Sequence, residues 1–175
     1  MHILLGLLSV IGAIAFFLWR INMAGKAASE LADTAGELAN LPRKMRFKSK
    51  AGKRGIDVIE DPREAAAALV YGAIASGDYV TAERKAALAA SLAEVFEVSE
   101  EEAKELVARA AWHVTSLNDP INAVNPLTDR LIATVGRDPM ADLKRLMDAE
   151  AARNERPSSD QRYFIDKFAR RAGLG

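Results

Sequence analysis

The chain of 175 residues contains no cysteine, only two histidines, and an aromatic fraction of 6%. Without cysteine, the chain can form no disulfide, no thiolate metal site and no cysteine nucleophile. The histidines are His2, at the extreme N-terminus, and His113, beside Trp112. Because no second histidine or cysteine can join His113 as a metal ligand, we expect it to be a surface or half-buried residue. A glycine-rich phosphate loop, an HExxH motif and a nucleophile elbow are also lacking. We therefore predict no catalytic residues and expect a protein that is not an enzyme.

Residues that break helices are scarce as well. Only six prolines and eleven glycines interrupt a chain in which half of the residues are hydrophobic and alanine is abundant. This composition is typical of an all-helical protein. Capping signals and prolines divide residues 57–175 into helices that begin near Asp61, Thr81, Ser99, Asp119, Pro126, Asp138 and Ser158. We predict an all-α fold, a compact bundle of six to seven helices behind one N-terminal transmembrane helix.

An uncharged apolar run extends from Ile3 to Trp19. At a rise of about 1.5 Å per residue, the run is near the lower limit for crossing a hydrocarbon core of about 30 Å. Trp19 stands where aromatic residues meet the membrane interface, and we predict a transmembrane anchor over residues 1–24. A cleaved signal peptide is one alternative, although no positive charge precedes the run. A buried core helix is the other, although the run is apolar on every face.

The formal net charge of zero conceals an uneven distribution of charges along the chain. Residues 1–54 hold nine Lys/Arg and three Asp/Glu, whereas residues 55–175 hold fifteen and twenty-one. An acidic globular part is a poor candidate for nucleic-acid binding, because the phosphate backbone attracts basic proteins. We therefore predict no nucleic-acid partner.

The positive charges of the N-terminal part are concentrated in residues 43–54, which we call the basic neck. The neck holds seven basic and no acidic side chains: Arg43, Lys44, Arg46, Lys48, Lys50, Lys53 and Arg54. At about 1 kcal/mol for each basic residue near an anionic leaflet, the neck is predicted to lie on the membrane surface, with anionic lipids as partners. A solvated linker is the compatible alternative. A juxtamembrane helix and the neck make up residues 25–56, between the anchor and a helical bundle at residues 57–175.

The distribution of Lys and Arg also predicts an orientation. None precedes the apolar run, and all of those in the N-terminal part follow it. Because positive residues favour the cytoplasmic side of a membrane, we expect the N-terminus outside and the C-terminal domain in the cytoplasm.

The turn between the first two helices of the bundle reads Ser76-Gly77-Asp78-Tyr79-Val80-Thr81, and Glu83 follows it. A hard cation such as Ca²⁺ or Mg²⁺ prefers several oxygen ligands. Asp78, Glu83 and the Ser76 hydroxyl are therefore candidate metal ligands, with a weakly bound divalent cation as the cofactor. The alternative is that Gly77 supplies a positive φ and that Glu83 interacts with the dipole of its helix.

The segment from Ala75 to Leu88, followed by Phe96-Glu97-Val98-Ser99-Glu100-Glu101-Glu102-Ala103, resembles the TerB-like family. This family includes the tellurite-resistance TerB domain and the N-terminal domain of the membrane-anchored co-chaperone DjlA. A second similar turn falls at residues 154–161, and a closing helix follows with Tyr163-Phe164-Ile165-Asp166-Lys167-Phe168. The resemblance covers residues 60–174 and implies a TerB-like helical fold.

The acidic motifs of the family are degenerate in this chain. The family's turn reads Ala-Asp-Gly and places a Glu seven residues after the Asp, an arrangement of which Gly77 and Glu83 are kept. Ser76 and Asn154 stand in place of the two Asp residues, and Gln161 stands in place of the second Glu. The His-Pro-Asp tripeptide of a J-domain is absent, so the resemblance does not imply co-chaperone activity.

Three hypotheses about function follow. The first is a membrane-tethered, non-enzymatic TerB-like domain at the cytoplasmic face of a bacterial inner membrane, an interaction or scaffolding module in envelope or metal and tellurite stress. The second is a divalent-cation sensor that uses Asp78 and Glu83. The third is an accessory single-span subunit of a larger membrane complex. The first requires a protein partner, and a basic partner could meet the acids Glu97, Glu100, Glu101, Glu102 and Glu105, which are otherwise a solvated face.

Overall fold

A computed structural model of the chain describes residues 55–77, 79–153 and 156–175. This part of the chain folds into helices joined by turns and contains no strand. The α-helices are α1 (Pro62–Ala75), α2 (Ala82–Phe96), α3 (Glu100–Thr115), α4 (Val124–Val135), α5 (Met140–Ala151) and α6 (Ser159–Ala172). Short 3-10 helices at Gly55–Val58 and Pro120–Ala123 precede α1 and α4. The prediction of a compact all-helical bundle is confirmed for the described residues.

The predicted anchor and the basic neck lie outside the described residues. None of α1 to α6 has the length and hydropathy that a membrane crossing requires.

Helix α1 is the centre of the bundle, and every residue from Ala65 to Ile74 is buried. It contacts each of the other five α-helices, α3 most extensively. Its burial is not limited to one apolar face, because four consecutive alanines and a glycine let neighbouring helices approach on the other sides. A helix that is apolar all round is typical of such a central position.

Local capping explains where most helices begin. At α1 the Asp61 carboxylate accepts a hydrogen bond from the Arg63 backbone N–H at 2.8 Å. Pro62 occupies the first helical turn, where its missing N–H leaves no hydrogen bond unmade. The predicted caps of α2, α3 and α6 are confirmed in the same way, since each side chain accepts from a first-turn backbone N–H: Thr81, Ser99 and Ser158.

The sequence Ser99-Glu100-Glu101-Glu102 matches a capping box at the start of α3, but only half of the box forms. Ser99 accepts a hydrogen bond from the backbone N–H of Glu102 at 3.2 Å. The Glu102 carboxylate instead accepts a hydrogen bond from the Arg63 guanidinium at 3.0 Å. Glu102 thus joins α3 to the start of α1 and does not complete the cap of its own helix.

Two predicted helix starts differ from the observed ones. Helix α4 begins at Val124, so that Pro126 lies within its first turn rather than at its start. A first-turn proline interrupts no intrahelical hydrogen bond, because the first N–H groups of a helix have no partner within it. Helix α5 begins at Met140, with Pro139 rather than Asp138 at the N-cap.

Arginines hold the C-terminal end of α6. The Arg137 guanidinium donates to the Ala172 carbonyl oxygen at 2.7 Å, where the helix leaves carbonyl groups without partners. Arg171 donates two hydrogen bonds to the Asp129 carboxylate of α4, and this pairing lowers the pKa of Asp129. Gly173, with a φ of 79°, then ends the helix in the left-handed conformation.

Helices α1 and α6 lie close together at Gly72. A Cβ atom added there would lie 2.8 Å from Cζ of Phe164, a fully buried ring. Glycine is needed at this position for space, since its backbone is that of an ordinary α-helix.

We predict that Gly72→Ala destabilises the bundle although alanine is the better helix former. The gain in helix propensity is about 1 kcal/mol, whereas pressing a methyl group against the Phe164 ring costs about 1–3 kcal/mol. Thermal unfolding of the full chain in mild detergent, followed by far-UV circular dichroism, should show a lower melting temperature. In a Phe164→Leu background the smaller side chain leaves room, so there Gly72→Ala should be neutral or stabilising. A higher melting temperature for Gly72→Ala alone would contradict the close approach.

Candidate functional site

The candidate metal ligands lie in the turn after α1 and in the first turn of α2, and the structure describes two of the three. Ser76 is the C-cap of α1, and its hydroxyl donates to the Gly72 carbonyl oxygen at 2.8 Å. Glu83 is exposed in the first turn of α2. Asp78 lies outside the described residues. The Ser76 hydroxyl proton is therefore already donated to a carbonyl group in the last turn of α1.

The alternative explanation for this turn, a positive φ at Gly77, is wrong, since Gly77 is not among the positive-φ residues of the described chain. The glycine instead allows a close contact, because a Cβ atom there would lie 2.6 Å from Cδ of Gln161. The Gln161 side-chain amide donates to the Ile74 carbonyl oxygen at 3.3 Å, and its oxygen accepts from the Ser158 backbone N–H at 2.9 Å. Gln161 thus joins the two turns on which the family resemblance depends.

Within residues 55–77, 79–153 and 156–175, no group of three or more His, Asp or Glu is arranged to hold a metal ion. Asp78 and Asn154 are outside these ranges. The cation site of Asp78, Glu83 and Ser76 therefore stays a prediction.

A buried polar cluster between α1 and α3 was missed by the sequence analysis. His113 is 4% exposed, and its Nε2–H donates to Oε1 of Glu64 at 2.5 Å. The Arg109 Nε atom lies 3.7 Å from the other carboxylate oxygen of Glu64. The expectation of a surface or half-buried His113 is wrong, because α1 packs over this face of α3. A signal was available, since His113 continues the helical spacing of the buried residues Leu106 and Ala110.

Arg63 extends this polar contact between α1 and α3 toward the surface. Its guanidinium donates to the Asp61 carboxylate at 2.8 Å and to the Glu102 carboxylate at 3.0 Å. The hydrogen bond to Asp61 is the largest of the interactions that raise the pKa of Arg63. Arg63, which bonds Asp61 beside it and Glu102 of α3, therefore holds the start of α1 against α3.

A second missed cluster surrounds Glu150 of α5, which is 1% exposed. Ser91 of α2 donates to Oε1 of Glu150 at 2.7 Å, and Arg153 donates from Nε to Oε2 at 3.0 Å. The hydrogen bond to Glu150 raises the pKa of Arg153. Arg84 of α2 also donates to the Glu150 carbonyl oxygen. These bonds attach α2 to α5, which matters because α2 contacts α1 less than the other helices do.

The two clusters contain groups that acid–base catalysis uses, namely a histidine, carboxylates and a hydroxyl. In both clusters the carboxylate accepts hydrogen bonds from side chains of a neighbouring helix or turn. A buried carboxylate is stable only with such partners. We therefore interpret both clusters as contacts that position helices.

An open cleft of about 790 Å³ lies where the described chain begins. Its lining contains hydroxyl, amide and apolar groups and no ionisable side chain: Gly55, Ile56, Ser116, Leu117, Asn118, Asn122 and Pro126. Gly55 lies against the end of α3, since a Cβ atom added to it would be 2.5 Å from Oγ of Ser116 and 3.6 Å from Cζ3 of Trp112. Trp112 is 47% exposed beside this contact. The residue that follows the basic neck is thus packed against α3.

The chain matches no protein-family model, no curated protein and no solved structure. The resemblance to the TerB-like family therefore stays a prediction that depends on the residues of the two turns and of α6.

We predict that Glu64→Ala destabilises the bundle by about 1–3 kcal/mol, because it leaves the buried His113 Nε2–H without an acceptor. Thermal unfolding of the full chain in mild detergent measures the loss. Glu101→Ala is the matched control, since its carboxylate is 84% exposed on α3, and it should change the stability by no more than about 0.5 kcal/mol.

The double variant Glu64→Ala/His113→Ala separates this bond from general effects of truncation. Directly bonded residues show non-additive losses, so the double variant should lose less stability than the two single variants together. Strictly additive losses would contradict a direct bond between Glu64 and His113.

Proposed function

We propose that the chain is a membrane-tethered, non-enzymatic interaction module, with a TerB-like helical bundle at the cytoplasmic face of a bacterial inner membrane. The observation that carries the proposal is the order of segments along the chain. An uncharged apolar run and a basic neck are followed, from Gly55 onward, by a helical bundle. Tethering keeps such a bundle at a high effective concentration for partners on the same membrane.

Exposed aromatic side chains on the surface of the bundle favour the binding of a protein partner. Among the described residues, three large aromatic side chains are exposed: Tyr79 at 83%, Tyr163 at 57% and Trp112 at 47%. Tyrosine and tryptophan are enriched in protein–protein interfaces, because they combine a large apolar area with a polar group. The buried polar clusters, in contrast, are engaged in helix packing, which favours binding over catalysis as the role of this bundle.

We predict that the full chain with a C-terminal tag stays in the membrane pellet after alkaline carbonate extraction. Protease should remove the tag in inverted vesicles and leave it intact in spheroplasts, because the positive residues that follow the apolar run favour the cytoplasm. Replacing Ile11 and Ile14 by lysine should release the protein from the pellet, at a cost of about 2.5–3.5 kcal/mol for each charge near the centre of a span.

The matched control places the same two charges beyond the apolar run, in Ala27→Lys/Ala28→Lys. This variant should remain in the pellet. Extraction of the parent chain by carbonate, or cleavage of its tag in intact spheroplasts, would contradict the proposed tether or its orientation.

A divalent-cation sensor is the second candidate, and the contact between Gly77 and Gln161 favours it by bringing the two motif turns together. Such a sensor requires a saturable rise in the melting temperature of the full chain with Ca²⁺ or Mg²⁺, since a ligand of the folded state stabilises it. Replacing Asp78 by Asn and Glu83 by Gln would then abolish the rise. An accessory subunit of a membrane complex, the third candidate, would instead purify in mild detergent with a stoichiometric integral-membrane protein.

A further inference from the structure

The end of the bundle beside Trp112 differs in charge from the rest of the acidic domain. From Ala110 to Asn118, and again from Pro120 to Thr128, the sequence contains no Asp, Glu, Lys or Arg. Asp119, which separates the two stretches, accepts a hydrogen bond from the Ile121 backbone N–H at 2.9 Å. We call this region, Gly55 and Ile56 with Trp112 and residues 116–126, the Trp112 end.

The acids of α3 lie away from the Trp112 end. They are Glu100, Glu101, Glu102 and Glu105. At about 1.5 Å per residue, the nearest of them is about 10 Å from Trp112 along the helix axis. This separation exceeds the Debye length of about 8 Å at physiological ionic strength, so these acids contribute little repulsion at the Trp112 end.

The chain brings positive charge to the same end. Gly55 packs against Ser116 and Trp112, and in sequence it directly follows the seven basic residues of the neck. Acids are also present there: Asp119 lies within the region, Asp57 and Glu60 follow in sequence, and Glu64 is bonded to His113 next to Trp112. The seven basic residues of the neck outnumber these four acids.

We propose that the Trp112 end docks on the headgroup region of the membrane, an inference that rests on the proposed tether. An exposed tryptophan is suited to this region, because its ring is apolar and its N–H is a hydrogen-bond donor. The cleft offers the Asn118 and Asn122 amides to the phosphate and ester oxygens of lipids, whereas the Ser116 hydroxyl already donates to the His113 carbonyl oxygen at 2.7 Å. The basic neck adds attraction to anionic lipids, and the scarcity of acids at this end limits repulsion.

Docking in this way directs the opposite half of α1 away from the bilayer. His113, next to Trp112, is bonded to Glu64 in the first turn of α1, whereas Tyr79 follows the last turn of α1. The axial distance from Glu64 to Ser76 is about 18 Å. The membrane and a protein partner would then use different ends of one bundle, and the exposed Tyr79 would face the cytoplasm.

Tryptophan fluorescence of the full chain in lipid vesicles tests this proposal. The chain contains two tryptophans, Trp19 and Trp112, so Trp19→Phe leaves Trp112 as the sole emitter. Vesicles of phosphatidylcholine and phosphatidylglycerol are prepared with and without bromine near the headgroup end of the acyl chains. With bromine in both leaflets, the readout does not depend on the orientation of the protein. We expect brominated vesicles to quench Trp112, and its emission maximum in plain vesicles to lie at shorter wavelength than in detergent.

Two control variants make the outcomes distinguishable. Trp112→Phe leaves Trp19 as the emitter and reports insertion of the anchor. Trp19→Phe/Trp112→Phe/Tyr79→Trp places a single tryptophan at the opposite half of α1, where we expect no quenching by brominated lipid and full access to acrylamide in water.

Quenching of Trp19 without quenching of Trp112 would overturn docking while leaving the tether intact. Quenching of the tryptophan at position 79 to the same extent as Trp112 would overturn the proposed orientation. Absence of quenching at Trp19 would overturn the tether and, with it, the docking that rests on it.

Discussion

Burial of α1 on every side is the constraint on which the rest of the bundle depends. Large side chains such as Leu69, Val70 and Ile74 each contribute about 1.5–3 kcal/mol when fully buried, and they do so only if other helices cover all faces of α1. Alanines and Gly72 allow this cover, because they let neighbouring backbones come close. The turns between helices and the polar contacts hold the other five α-helices of the described chain around α1.

Buried polar groups determine where the surrounding helices sit. An unpaired carboxylate in the interior is costly, so Glu64 favours the one position of α3 in which His113 reaches it. Glu150 has the same effect on α2 and α5, because Ser91 and Arg153 must both stay within hydrogen-bonding distance. We suggest that these contacts specify the arrangement of helices that apolar burial alone would leave adjustable.

Local features were predictable from the sequence, and distant contacts were not. The caps at Asp61, Thr81 and Ser158 depend on residues within one helical turn, so their side-chain types identify the helix starts. The bonds of His113 to Glu64 and of Gln161 to Ile74 join residues 49 and 87 positions apart, which no short-range pattern encodes. All-round burial of α1 could have been inferred from the uninterrupted apolar sequence of residues 65–74. For the cation site, the sequence provided residue types but no geometry.

Native-state hydrogen exchange of the full chain in mild detergent tests most directly whether α1 organises the bundle. Amides that are buried and contacted on all sides exchange only through global unfolding, whereas peripheral elements also open locally. The account predicts that the amides of α1 exchange most slowly, and that those of α2, which contacts α1 least, exchange sooner. Faster exchange in α1 than in α2 would contradict the central position of α1.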